Sequence, residues 1–210
     1  MSNHPLIPLA DYQRIYQIAY SVLEASGIAN TQRACIFFAS VGALILRENY
    51  RLKATISVGS MALMVDEANA NVVAYGREES GEWLCDSNGF HAWVECDGWL
   101  IDFMAPIMGQ SLREDGSTFV VPRKMLQKPL ASRQPTPHAI QHEGEFFFCS
   151  DPSLAESILD SQGVQFEDLL RVCMAWFRKP PKALPQISLA ATNTVPKPLV
   201  LKAPSIQGVW

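Results

Sequence analysis

Apolar positions in the first fifty residues follow helical spacing. Between residues 9 and 26 they recur at intervals of three or four, which predicts an amphipathic helix with Gly27 as its C-terminal cap. These positions are Leu9, Tyr12, Tyr16, Ala19 and Leu23. A second helix is predicted from about Arg33 to Asn49, because the segment CIFFASVGALIL is apolar on nearly every side. Asn30 or Thr31 is expected to cap this helix, which should lie at the centre of the fold.

The pattern then changes to stretches that favour strands. Lys53 to Val65 and Asn71 to Tyr75 are rich in strand-forming residues, and the loop GREESGE follows them. Residues 88–104, NGFHAWVECDGWLIDFM, predict a hairpin with the strands FHAWVEC and WLIDFM. Asp97-Gly98 between these strands is favoured in a type I′ turn, since both central residues of that turn need a positive φ.

Beyond Pro106 the pattern is irregular. Strands are predicted at STFVVP and EFFFCS, and KPLASRQPTPHAIQHEGE before the second strand is expected to be a long excursion. Asp151 to Asp160 should contain a helix with Pro152 in its first position, and Phe166 to Phe177 another. From Lys179 onward, repeated prolines argue against a long helix and predict an extended strap or a partly disordered tail.

A chain of 210 residues has room for one sizeable hydrophobic core. We therefore expect a single α+β domain over residues 1–178, with helices packed on an antiparallel sheet. Its core should span residues 9–106 and a family-specific extension residues 107–178. Residues 179–210 would form the proline-rich tail.

Composition and charge narrow the possible partners and compartment. A net charge of −4 without a Lys/Arg cluster argues against nucleic acid as a partner. The N-terminus lacks the features of a secretory signal, and the longest apolar run, Ala34 to Leu46, is shorter than the ~20 residues that cross a bilayer. Five unclustered cysteines fit free thiols in a cytoplasmic protein, and no metal or other cofactor is expected. The oligomeric state stays open.

The predicted hairpin places a histidine and an aspartate on one face. Its turn puts Trp93 opposite Asp102, and alternation of side chains puts His91 on the same face as Trp93. Diagonal neighbours of this kind are roughly 7–8 Å apart, which an imidazole and a carboxylate can span. A histidine oriented by a carboxylate provides two members of a nucleophilic triad. Cys35, in the first turn of the second helix, is the candidate nucleophile, because a helix start and a cationic neighbour favour a thiolate.

The order and contexts of these residues resemble the transglutaminase-like branch of the papain-like superfamily, which includes arylamine N-acetyltransferases and many bacterial peptidases and amidases. In that branch a cysteine opens a long apolar helix, a later strand begins His-Ala-Trp-Val-Glu, and Gly-Trp, Asp and often Pro follow. The matching segments here are ACIFFASVGALIL, HAWVECDGWLID and MAP, all between Thr31 and Pro106. The resemblance implies a papain-like fold in which Cys35 is the nucleophile, His91 the base and Asp102 the orienting acid.

The resemblance further implies a cysteine hydrolase, of amidase or peptidase type, that cleaves an amide or ester of a small molecule or peptide through a thioester. The backbone N–H of Cys35 would donate to the oxyanion. Gln32 is a candidate second donor and equally a candidate helix cap. Trp93 is expected to shield the His–Asp pair rather than contact the substrate. Two alternatives remain open: an acyltransferase or amine cross-linking enzyme of the same fold, and a binding protein without turnover.

Overall fold

The computed structural model describes residues 5–190 and 195–210. The helices of these residues are α1 (Leu9–Ser26), α2 (Cys35–Tyr50), α3 (Met108–Glu114), α4 (Pro152–Asp160) and α5 (Val164–Trp176). The strands are β1 (Ala54–Asp66), β2 (Asn71–Tyr75), β3 (Arg77–Glu79), β4 (Glu82–Leu84), β5 (His91–Cys96), β6 (Trp99–Asp102), β7 (Lys124–Pro129), β8 (Phe146–Ser150), β9 (Ser188–Leu189), β10 (Lys197–Pro198) and β11 (Gly208–Val209). The chain is therefore an α+β protein, as predicted.

The main sheet has the strand order β11-β7-β6-β5-β1-β2, and β8 also pairs with β1. All of these pairs are antiparallel except that of β11 with β7, which is parallel. The prediction of a wholly antiparallel sheet is thus wrong at one edge, because the end of the chain returns beside β7 in the same direction. Helices α1, α2 and α5 pack on one another, and α2 also packs on β1 and β5.

The sheet buries side chains on both faces. Ala92, Val94 and Ile101 belong to the larger core, which they share with residues of α1, α2 and α5. Trp93 and Leu100 point the other way and pack in a second cluster with aromatic residues of β8. Successive residues of a strand face opposite sides of the sheet. The hairpin of β5 and β6 therefore lies between the two cores and contributes side chains to both.

The two N-terminal helices form where their apolar spacing predicts them. Gly27 follows α1 in the left-handed conformation, with φ of 61°, and so confirms the predicted cap. Helix α2 begins at Cys35, two residues later than expected. The predicted cap at Asn30 or Thr31 is wrong, because a short 3-10 turn at Thr31–Arg33 intervenes and leaves Ala34 at the N-cap without a side-chain hydrogen bond.

The central hairpin has the predicted turn and register. Asp97 and Gly98 have φ of 47° and 82°, as both central residues of a type I′ turn require. Val94 pairs with Ile101, and the residues that flank the turn also pair with each other. Every side chain of the hairpin therefore faces the side of the sheet that alternation assigns to it.

Several elements after β2 differ from the sequence prediction. The GREESGE loop contains the short hairpin of β3 and β4. STFVVP is not a strand: Val120 is exposed, and Pro122 has no N–H to donate to a ladder. The strand of this region is β7, which ends in the first two residues of the predicted excursion and pairs with β6. Helix α3 was not predicted, whereas β8 and α4 match their predictions, and Asp151 caps α4 by accepting from Leu154 N–H.

The proline-rich tail packs along the domain as an extended strap. Strands β9 and β10 pair with each other, and β11 extends the main sheet. Leu199 is buried in the larger core, and Lys202 N–H donates to Ser21 Oγ at 3.0 Å. The part of the tail prediction that falls on residues 191–194 lies outside the described residues. In the part of the chain that the structure describes, no helix combines the length and apolar character needed to span a bilayer.

Candidate active site

Cys35 is the first residue of α2, and the residue is only 7% exposed. The first N–H groups of a helix have no carbonyl one turn earlier to accept their hydrogen bonds. The N–H of Cys35 therefore has no acceptor within the helix. No acidic side chain occupies the first turn of α2. The positive end of the helix dipole therefore acts on the thiol without a competing carboxylate of the same turn.

His91 and Asp102 form a hydrogen-bonded pair, although the sheet ladder itself does not pair their backbones. His91 Nε2 lies 2.8 Å from Asp102 Oδ2, and both side chains are fully buried. Since a carboxylate can only accept, Nε2–H is the donor. The predicted contact across the face of the hairpin is therefore present.

Further contacts hold Asp102 in place. Its second carboxylate oxygen, Oδ1, accepts from Met104 N–H at 2.8 Å. The hydroxyl of Tyr12 on α1 donates to the backbone carbonyl of Asp102, and the Tyr12 ring stacks on Phe103. A buried carboxylate is costly unless both oxygens have partners, and here each oxygen has one.

The bond to Asp102 leaves the other imidazole nitrogen of His91 for Cys35. Nδ1 is buried and makes no hydrogen bond of ordinary geometry within the described residues. Burial alone lowers the pKa of His91, but the Asp102 carboxylate and the nearby Cys35 thiol outweigh it and raise that pKa from 6.5 to about 10. The ring is therefore protonated at neutral pH.

Sequence reasoning missed Tyr75, the last residue of β2. Its ring stacks on the imidazole of His91, with centroids 4.3 Å apart and planes 16° apart. The pairing of Tyr75 with Met61 of β1 sets this position, because β1 also pairs with β5 at His91. No local pattern indicates such a contact, since it depends on the registers of two separate strand pairs.

Trp93 and Gln32 are the other two predicted site residues. Trp93 is fully buried, packs on Phe148, and donates from Nε1 to Glu95 Oε1 at 3.1 Å. This position fits the shielding role and leaves no surface of Trp93 for a substrate. The side chain of Gln32 lies outside the part of the chain that the structure describes. Among the described residues, no three His, Cys, Asp or Glu side chains are grouped to hold a metal ion.

A cleft of about 630 Å³ opens beside Cys35, between the end of α1, the start of α2 and α5. Its walls are mostly aliphatic and aromatic. The apolar lining includes Leu23, Ile28, Ile36, Phe37, Phe90, Ile158, Val164, Phe166 and Leu169. Arg33, which contributes to the rim, is ion-paired with Asp115. The cleft therefore suits an apolar group held next to the thiol.

A solved structure shares the fold over its full length. The crystal structure of the genomics target APC5867 is 29% identical to this chain, covers 100% of it and 99% of its own length, and superposes with a TM-score of 0.84. No curated protein matches the chain. Residues 8–210 match the family described as "Protein of unknown function (DUF2026)". Because this match spans nearly the whole chain and includes Cys35, His91 and Asp102, the protein belongs to the DUF2026 family.

Proposed function

We propose that this protein is a cysteine hydrolase of papain-like, transglutaminase-like type that cleaves an amide or ester bond. The observation that carries the proposal is the buried pair of His91 and Asp102, whose geometry leaves the second imidazole nitrogen for a thiol at a helix start. A structural histidine does not need a carboxylate on one nitrogen and a thiol beside the other. Such an arrangement is what a general base for a cysteine nucleophile requires.

The proposed reaction proceeds through a thioester. The Cys35 thiolate attacks the carbonyl carbon, a C–S bond forms, and the carbonyl π electrons move to oxygen. The oxyanion then collapses, the C–N or C–O bond breaks, and protonated His91 gives its proton to the leaving amine or alcohol. In the second half, water gives a proton to His91 and attacks the thioester, which releases the acid and restores the thiolate. Asp102 accepts a hydrogen bond from Nε2–H throughout the reaction. Nδ1 is therefore the nitrogen that gives or takes the proton in each step.

The cleft beside Cys35 indicates which part of a substrate the protein would hold. Its walls offer mainly isoleucine, leucine and phenylalanine side chains, and Arg33 is the charged residue of the lining. Burial of apolar surface stabilises a complex by roughly 25 cal/mol per Å². We infer that the acyl part of the substrate is apolar and occupies this cleft while its carbonyl lies against the thiol.

Alkylation with iodoacetamide, resolved by residue with mass spectrometry, tests the nucleophile without knowledge of the substrate. Cys149 is the internal reference, because it is exposed whereas Cys35 is buried. At pH 6 we expect Cys35 to react about tenfold or more faster than Cys149, since a thiolate and not exposure controls the rate. His91→Ala should remove that advantage. Faster modification of Cys149 in the wild-type protein would refute the nucleophile.

The same thioester could pass to an amine instead of water, which would make the protein an acyltransferase. The two outcomes separate when an ester probe is supplied with and without an added primary amine. Free acid as the main product in both samples supports hydrolysis. An amide product that increases with amine concentration supports acyl transfer.

A further inference from the structure

The hydroxyl of Tyr75 is a polar group at the site that the triad does not use. It is buried and has no hydrogen-bond partner among the residues whose side chains the structure describes. Buried hydroxyl groups normally have a partner, because an unpaired one loses its bonds to water without replacement. The ring itself is held in place by its stacking on His91.

The charged groups near this hydroxyl limit the role that it can have. Burial raises the pKa of Tyr75, and the nearby charges of Asp102 and Cys35 raise it further, whereas Arg33 has a smaller opposing effect. The hydroxyl therefore keeps its proton at neutral pH. Beside a negatively charged group it acts as a hydrogen-bond donor. Asp102 already has a partner on each carboxylate oxygen. The remaining place where negative charge develops is at Cys35.

We propose that the Tyr75 hydroxyl donates a hydrogen bond to the oxyanion that forms when Cys35 attacks a carbonyl. This inference rests on the proposed function and adds a donor to it. The backbone N–H of Cys35 is the second donor, because it lies at the start of α2 where no helical carbonyl accepts it. A donor that is unpaired in the resting protein bonds more strongly to the transition state than to the ground state, which is the condition for catalysis.

Tyr75→Phe tests the role, since phenylalanine keeps the ring stacked on His91 and removes only the hydroxyl. Two reactions of Cys35 are compared: acylation by p-nitrophenyl acetate, measured as the burst of p-nitrophenolate, and alkylation by iodoacetamide. Only acylation passes through an oxyanion. We expect acylation to slow by about tenfold or more and alkylation to stay within about twofold of wild type.

Tyr16→Phe is the matched control, because the hydroxyl of Tyr16 is also buried without a partner among the described side chains but lies in the core between Tyr20 and Phe38. It should change neither rate. Equal losses of acylation and alkylation in Tyr75→Phe would make Tyr75 a positioning residue for His91 and overturn the oxyanion role. Unchanged acylation would also overturn it. A wild-type protein that is alkylated at Cys35 but never acylated would instead refute the proposed function, and the role of Tyr75 with it.

Discussion

The two carboxylate oxygens of Asp102 have different partners, and this division decides what an amide could do in its place. One oxygen accepts from His91 Nε2–H and the other from Met104 N–H. An asparagine has one acceptor oxygen and one amino group, so one of the two donors would lose its acceptor. The backbone N–H of Met104 cannot change its role, whereas His91 can move its proton from Nε2 to Nδ1.

Asp102→Asn removes the negative charge that keeps the His91 ring protonated, so the ring should become neutral with its remaining proton on Nδ1, the nitrogen that has to take the proton of Cys35. We expect alkylation of Cys35 at pH 7 to slow by about tenfold or more, because the imidazole is then in the wrong tautomer. The melting temperature should change by only a few degrees, about the effect of 1 kcal/mol, since size and hydrogen bonding are preserved. Both quantities are measured on one preparation by mass spectrometry and thermal unfolding.

The control for this substitution is Asp115→Asn, at an exposed aspartate that pairs with Arg33 near the cleft. An exposed pair of this kind contributes about 0–1 kcal/mol, so neither alkylation nor melting temperature should change much. A strongly destabilised Asp102→Asn protein with wild-type Cys35 reactivity would show that Asp102 is a structural anchor and no member of a triad.

At the scale of elements, the site depends on how closely α2 approaches the end of β6. Gly42 lies in the middle of α2, and a Cβ atom at this position would overlap the ring of Phe103, the residue that follows Asp102. That ring in turn stacks on Tyr12, whose hydroxyl binds the Asp102 backbone. The absence of a side chain at Gly42 thus allows the helix that carries the nucleophile to pack against the strand that carries the acid.

Gly42→Ala should force α2 away from Phe103. We expect the free energy of unfolding to fall by about 1–3 kcal/mol, the usual cost of an added methyl group in a tightly packed core, even though alanine favours helix. Chemical denaturation measures the change. Gly89→Ala is the control, because no atom lies within 4 Å of a Cβ built there. A Gly42→Ala protein as stable as wild type would mean that the contact with Phe103 relaxes without cost.

At the scale of the whole molecule, the arrangement of three helices creates the apolar cleft. The ring of Phe37 on α2 meets that of Phe166 on α5 edge to face, with centroids 5.6 Å apart. Both rings line the cleft, and Cys35 lies at the start of the same helix as Phe37. The size of the acyl group that reaches the thiol should therefore depend on a helix distant from it in the sequence.

A series of p-nitrophenyl esters tests this dependence. We expect the hexanoate to acylate Cys35 about tenfold faster than the acetate, because each buried methylene contributes about 0.8 kcal/mol when fully removed from water. Phe166→Ala should reduce this preference by opening one wall of the cleft. Phe119→Ala is the matched control, since Phe119 is also half-buried but packs on the second cluster, beyond the sheet. Equal rates for both esters in the wild-type protein would contradict an apolar acyl site.

The sequence alone was sufficient for features that depend on near neighbours. Apolar spacing located α1 and α2, and Asp97-Gly98 with the alternation around it placed His91 and Asp102 on one face of a hairpin. These predictions succeeded because helical period, strand alternation and turn chemistry are set by residues close together in the chain. The start of α2 was less accurate, because the 3-10 turn before Cys35 carries no distinct local signal.

Contacts between distant segments were decided only by the tertiary structure. The approach of Cys35 to His91, the stacking of Tyr75 on that histidine, and the cleft between α1, α2 and α5 all depend on packing across long stretches of chain. The tertiary structure also decided β7 and the parallel strand β11. Their short segments form strands because β7 pairs with β6 and β11 pairs with β7. Such contacts depend on burial and strand register between separate elements. Neither produces a periodic pattern in the local sequence.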